Sequence, residues 1–379
     1  MLIFLFSKCN RMISHILKDI LKKMLFNSLT YEKALTGDLA PFSPFSFLPP
    51  ITDEKGFYLG VDEIKRPVFL DVSRLPSLHG IILGTTGSGK STLARHLALE
   101  ANKHGIKVWI IDPHGEIAYE KVVVKLLKGV LLDLSVEGFD IFNPSGWVPE
   151  DYFHTLAEIA VTSYQLPDFL VFDLQKTLLD IYTDSNQPKL LAVPQIRGLV
   201  ENILSFLGKK RISNLIDKNV YVTFRGRKGR LSLNRQRLGL LSLLARLDGE
   251  MMKNANNTKT KLMIIVDEAH DLFKLREGSF LSQLYRESRK FGYSIVSLVQ
   301  IPGFLPPDIY SLAGFMIFLS GPKEYVEELK LVSYLRKENL EWLLYSVKGN
   351  AVLVKQGDPR PRNIILRICK QVIDENNHS

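Results

Sequence analysis

The sequence predicts an α/β fold in which a mainly parallel sheet is covered by helices, with helical segments added ahead of it and within it. Three observations carry this. From Gly56 onward short apolar runs alternate with helical periodicity, a glycine-rich loop joins one apolar run directly to a helix, and a second apolar run ends in two adjacent carboxylates.

Residues 1–26 place Ile13, Ile16, Leu17, Ile20, Leu21, Met24 and Leu25 at helical spacing, flanked by Lys8, Arg11, Lys18, Lys22 and Lys23. Such a basic amphipathic helix fits an anionic membrane surface, and better still a docking site on the protein's own core or on a neighbouring subunit. The stretch PFSPFSFLPP at 41–50 cannot continue a helix and reads as an extended linker. Residues 1–55 are therefore expected to form an N-terminal helix and linker, and 56–379 the core. In the core, strands are expected at 68–72, 80–83 and 107–111 around a helix from Lys90 to about His104, and again at 261–266, 293–299 and 315–319. Residues 145–255 read as a mostly helical insertion with a β-hairpin at 220–233. A last pair, 351–354 and 363–368, is expected to close the sheet or form its edge, because Pro359 and Pro361 bracket the turn.

Cys9 and Cys369 stand near opposite ends without a CxxC, which excludes a disulfide scaffold and a cysteine zinc site and predicts a reducing, cytoplasmic setting. Hydrophobic residues make up 46% and charged residues 23%, and no apolar run approaches the roughly 20 residues of a membrane span, so any membrane contact would be peripheral, through residues 1–26. The formal charge is +9. Residues 205–240 hold ten basic side chains against the single acid Asp217, an excess equal to that of the whole chain. Arg225, Arg227, Lys228 and Arg230, at the tip of the expected hairpin, are the candidate contacts for nucleic-acid phosphates; a solvated outer hairpin fits the same pattern.

The motif GTTGSGKST matches GxxxxGK[ST] between an apolar strand and a helix. Gly84, Thr85, Thr86, Gly87, Ser88, Gly89, Lys90, Ser91 and Thr92 would wrap ATP phosphates, with backbone N–H groups and the helix N-terminus facing the anion. Lys90 would bridge the outer phosphates and Ser91 would hold Mg²⁺. The apolar run Leu262 to Val266 leads into Asp267, a second Mg²⁺ ligand through water, and Glu268, which would polarise the attacking water. Gln300 follows another strand and could contact the γ-phosphate or simply cap the strand. Arg286, Arg289 and Lys290 fit either a charge stabiliser, which can come from a neighbouring subunit, or a solvated basic helix end. His114 lacks a second His or Cys at ligand spacing, so Asp112, His114 and Glu116 read as a hydrogen-bonded turn, and His270 as structural.

Five segments in order, GTTGSGKST, IIDPHGE at 110–116, IIVDEAH at 264–270, ESRKFG at 287–292 and SLVQ at 297–300, resemble the FtsK and HerA superfamily of hexameric DNA-pumping ATPases. Its HerA and conjugative coupling or secretion branches are the most similar, over roughly 57–116 and 260–365. The resemblance implies a RecA-like P-loop core, a homohexameric ring and DNA moved through its pore by ATP hydrolysis. It also implies that Arg289 is the finger reaching the adjacent subunit's nucleotide and that Gln300 senses the γ-phosphate. Catalysis is thus expected from Lys90, Glu268, Arg289 and Gln300. The chain departs from the pattern in lacking a small β-barrel pattern before Gly84 and a winged-helix pattern after the core, and in the long insertion between Lys90 and Asp267. A motor energising a secretion or conjugation apparatus is the alternative, favoured by the N-terminal helix. A nucleotide switch with little turnover is a third, opposed by Glu268, Arg289 and Gln300.

Overall fold

The computed structural model describes residues 53, 55–75, 77–183, 193–226, 231–253, 260–273, 280–344, 348–358, 360–369 and 372. The chain divides into two units, Met1–Pro49 and Pro50–Ser379, and the described residues all lie in the second. The expected amphipathic helix and the 41–50 linker fall outside them, as do Arg227, Lys228 and Arg230.

In chain order the elements begin with β1 (Phe57–Asp62), β2 (Pro67–Leu70), β3 (Gly80–Leu83), α1 (Lys90–Lys103) and β4 (Lys107–Asp112). Then come α2 (Ile117–Glu120), which continues into a π-helical turn at Lys121–Leu126, β5 (Val130–Asp133), α3 (Pro149–Ser163), α4 (Leu170–Tyr182) and α5 (Pro194–Leu204). The chain proceeds through β6 (Val220–Thr223), α6 (Leu233–Lys253), β7 (Leu262–Val266), α7 (His270–Phe273), α8 (Phe280–Glu287) and β8 (Tyr293–Val299). It ends with α9 (Pro307–Leu312), β9 (Phe315–Leu319), α10 (Lys323–Glu328), α11 (Lys337–Leu344), β10 (Asn350–Lys355) and β11 (Arg362–Leu366). The starts of α3, α5 and α9 each carry a proline, whose missing N–H costs nothing there.

Among the described residues eleven strands form one sheet, in the order β2-β1-β11-β10-β9-β3-β8-β7-β4-β6-β5. From β9 to β5 neighbouring strands run parallel; β10, β11, β1 and β2 extend the sheet antiparallel. Strand alternation sorts the core into two layers. Ile81, Leu83, Trp109 and Ile111 face the side covered by α3, α4, α5 and α6, while Ile82, Val108 and Ile110 face α1 and the β1–β2 hairpin. Gly80 is required where β3 meets β9: a Cβ there would lie 2.1 Å from the Phe315 ring.

Two strand expectations are corrected. Residues 220–233 do not form a hairpin: β6 lies parallel between β4 and β5, with both edges occupied, and α6 begins at Leu233. Its four residues are all buried, as expected of an interior parallel strand, and the basic run after it had been read as a turn between two strands. The last pair, β10 and β11, is not the sheet edge, because β11 pairs on its other side with β1, and β2 is the outer strand. Between residues 145 and 255 the helices α3 to α6 share one apolar layer with the central strands, and β6 belongs to the sheet itself.

One buried acid makes a measurable contribution to stability. Asp248 on α6 accepts a hydrogen bond from the Tyr293 hydroxyl at the start of β8. Burial pushes its carboxyl up to about 6, against the lowering effect of that hydrogen bond and with the Glu287 charge adding to the rise. The folded state thus holds this proton more tightly than the unfolded chain does. The stabilisation is complete below about pH 4 and is lost as pH rises to about 6. Asp248→Asn, which keeps an acceptor for Tyr293, should remove about 2–3 kcal/mol of this pH-dependent difference. Denaturant midpoints of wild type and variant between pH 4 and 8 test it; parallel curves would refute the assignment.

Candidate nucleotide site

The site is built along the carboxyl edge of β3, β8, β7 and β4, whose order in the sheet sets the order of the side chains. The loop leaves β3 at Gly84, whose N–H donates to Val299 O of β8 at 3.1 Å. It turns through Gly87 (φ 79°) and Gly89 (φ 104°), left-handed conformations that favour glycine, and enters α1 at Lys90. Lys90 is 6% exposed and donates Nζ to the carbonyls of Gly84 (2.8 Å) and Thr85 (3.3 Å). Burial pulls its ammonium below the usual lysine range, opposed by the charges of Glu268, Asp267 and Glu116.

From β7 the chain reaches Asp267, whose N–H donates to Ile111 O of β4 at 2.9 Å and whose Oδ1 accepts the Glu268 N–H at 2.9 Å. Burial pushes the Asp267 carboxyl up to about 7; the Tyr119 hydrogen bond opposes this, and Asp112, Glu268 and Glu116 add to it. Glu268 has φ 50°, a left-handed conformation costing about 1 kcal/mol or more for a residue with a Cβ. The contact of its own N–H and the Ala269 N–H to Leu298 O (3.0 Å) hold the turn. So placed, Glu268 Oε1 accepts from Gln300 Nε2, and Oε2 lies 3.2 Å from His270 Nδ1. Gln300 in turn accepts at Oε1 from the Thr86 hydroxyl at 3.2 Å. A polar chain thus runs from the glycine loop through Gln300 to Glu268.

The residues present fit a magnesium nucleotide. Ser88 Oγ is buried without a protein partner, and nothing lies within 4 Å of where a Cβ on Gly87 or Gly89 would be, so the loop is lined by an unmet donor and open space. Four acids, Asp112, Glu116, Asp267 and Glu268, act on one another here against the two buried cations Lys90 and Arg95, an excess of carboxylates suited to a cation. Ser91 and Asp267 are the residues that would hold it.

Lys90, Ser91, Asp267, Glu268 and Gln300 therefore converge, with Thr85, Thr86 and Ser88 in the loop. Thr92 accepts at its hydroxyl oxygen from Arg95 Nη2 at 3.1 Å. Asp112 organises a turn as expected, accepting from the N–H groups of His114 (2.8 Å) and Glu116 (2.5 Å) and from the Tyr221 hydroxyl (2.8 Å). Arg289 does not join the site. It is exposed on a 3₁₀ turn, Ser288–Phe291, before β8, at the sheet edge opposite the loop. Arg225, just past β6, shares the nucleotide edge, half exposed and 3.5 Å from Glu120. Three other basic residues of 205–240 have partners elsewhere: Arg237 is buried and donates to Asp271 O (2.7 Å), Arg235 lies over the Phe206 ring, and Lys210 makes a half-exposed ion pair with Glu137, while Lys209, Arg211 and Lys218 are exposed. Sequence reasoning missed Tyr119 and the Thr86–Gln300 contact; nothing in the local pattern AYE marks the former.

The family model described as the central domain of helicase HerA matches residues 57–172. The DNA import protein CedB of Sulfolobus acidocaldarius is 26% identical over 91% of this chain and 62% of its own length. A probable DNA double-strand break repair helicase HerA of Methanocaldococcus jannaschii is 26% identical over 72% of this chain and 67% of its own. The chain thus spans less than two thirds of CedB. In fold it is similar to VirB4 of Thermoanaerobacter pseudethanolicus, with a TM-score of 0.65 and 17% identity, over 86% of this chain and 100% of that one.

Proposed function

We propose that this chain, which belongs to the HerA and FtsK superfamily of P-loop ATPases, is an ATP-driven DNA translocase acting as a ring of identical subunits. One observation carries the hydrolytic part: the Thr86–Gln300–Glu268 chain joins the loop that would hold the γ-phosphate to the carboxylate that would polarise water. A mere nucleotide switch has no need of such a link. Lys90 would leave the Gly84 and Thr85 carbonyls for the phosphates, so its present bonds hold an ammonium ready in a buried site. Mg²⁺, when bound at Ser91 and Asp267, would neutralise charge on the phosphates. Glu268 would take a proton from water, and Gln300, hydrogen-bonded to both Glu268 and Thr86, would report whether a γ-phosphate is present.

DNA as cargo is supported by the names of the relatives, a DNA import protein and a DNA double-strand break repair helicase. It is also supported by Arg225, which begins the basic run 225–230 at the nucleotide edge. Ring assembly is supported by Arg289, which is exposed at the far edge, beyond reach of its own subunit's loop and on a side that a neighbouring subunit's nucleotide could meet. Among the described residues no helix is long and apolar enough to cross a membrane. Contact of residues 1–26 with a membrane surface remains part of this proposal and rests on their sequence alone.

ATP turnover with and without duplex DNA tests the reading. Wild type is expected to be stimulated by DNA. Replacing Arg225, Arg227, Lys228 and Arg230 with Ser should abolish the stimulation, spare basal turnover and lower the salt slope of DNA binding by up to about 3–4. Turnover indifferent to DNA would sink the cargo assignment and leave the secretion motor; an unchanged salt slope would remove these four residues from the DNA path.

A further inference from the structure

Tyr119 has no part in the mechanism just described. It follows the turn organised by Asp112 and sits on α2, with its side chain fully buried and its ring centroid 6.5 Å from that of Tyr221. The adjacency of β4 and β7 brings it against the end of β7, where its hydroxyl donates to Asp267 Oδ2 at 2.9 Å. A phenol this deep is costly unless satisfied, and here the group that satisfies it is one at which a divalent cation would be held. Phenylalanine would fill the same volume, so packing alone does not call for the hydroxyl.

We propose that Tyr119 is a positioning residue for the divalent cation: its hydroxyl donates a hydrogen bond to Asp267 Oδ2. The Asp267 carboxylate is thereby fixed in one rotamer between Tyr119 and the Glu268 N–H. Outer hydrogen bonds of this kind orient metal ligands, and losing one typically weakens metal affinity by about 10- to 100-fold. The inference rests on the reading of this edge as a magnesium nucleotide site.

The experiment is a titration of Mg²⁺ into full-length protein holding a fluorescent ATP analogue, for wild type and Tyr119→Phe, with a parallel binding curve in EDTA. In the variant the Mg²⁺ concentration for half-maximal effect should rise at least tenfold, while nucleotide affinity in EDTA stays within about twofold. An unchanged Mg²⁺ midpoint overturns the proposal. So does an equal loss with and without Mg²⁺, which would mark Tyr119 as a packing residue only. A second measurement needs no variant: in wild type labelled at tyrosine ¹³Cζ, one tyrosine resonance should move when Mg²⁺ is added to nucleotide-saturated protein and stay fixed when nucleotide is added in EDTA. No such resonance overturns the proposal even if the variant fails to fold. If wild type binds no nucleotide at all, the reading of the edge itself fails, a result distinct from any of these.

Discussion

Glu268→Gln is expected to lower ATP turnover by about 10³-fold while magnesium-ATP affinity changes by less than about threefold. The substitution keeps the shape of the side chain and an Oε1 able to accept from Gln300 Nε2, so the polar chain to Thr86 survives. What it removes is the ability to accept a proton from water, together with one of the negative charges facing Lys90. Loss of that charge should slightly favour the ionised Asp267, whose carboxyl the Glu268 charge helps to raise, and so should not weaken metal binding. Phosphate release in steady state and equilibrium binding of a fluorescent nucleotide separate the two quantities. Turnover within about threefold of wild type would mean that another group activates water. A matching fall in affinity would mean that Glu268 holds the site together.

How far such a site can be read in a sequence depends on how local its causes are. The glycine loop was legible because strand, loop and helix are contiguous from Gly80 to Lys103, and each residue's role follows from its neighbours. Asp267 and Glu268 were legible because five apolar residues in β7 fix which end of the strand carries the carboxylates. Gln300 was legible for the same reason at the end of β8, although its partners were not. Tyr119 was hidden because its contact with Asp267 depends on β4 lying next to β7, a pairing of distant segments. The hairpin error has a similar origin. An all-apolar run of four residues fits a buried parallel strand as well as a hairpin arm, and only the sheet order decides. Charge misled differently. Arg235, Arg237 and Lys210 counted toward a basic surface, yet their charges are engaged within the fold.

Arg289→Ala should cost about 10³-fold or more in turnover, the effect of removing an arginine that meets transition-state charge on a transferred phosphoryl group. The geometry makes the result informative. β8 carries Arg289 just before its first residue and Gln300 just after its last, so its seven residues separate the two by about 20 Å or more. Gln300 touches the phosphate loop; Arg289 cannot reach it within the same subunit without dismantling a buried strand. Its own turn is anchored at the far edge: Ser288 Oγ lies 2.9 Å from Nε2 of the buried His79, and Gly292, at φ 79°, closes the turn into β8. Arg289 itself is exposed. In the proposed ring, an arginine turned outward on this anchored turn would meet a phosphate presented by another chain. Mixing then distinguishes the two subunits' contributions. Lys90→Ala and Arg289→Ala should each be inactive alone. In a mixed ring an Arg289→Ala subunit with an intact loop can receive Arg289 from a Lys90→Ala neighbour, so equal mixing should restore about a quarter of the active interfaces. A mixture that stays as inactive as its parents, under conditions where labelled subunits exchange, would exclude Arg289 from the neighbour's site.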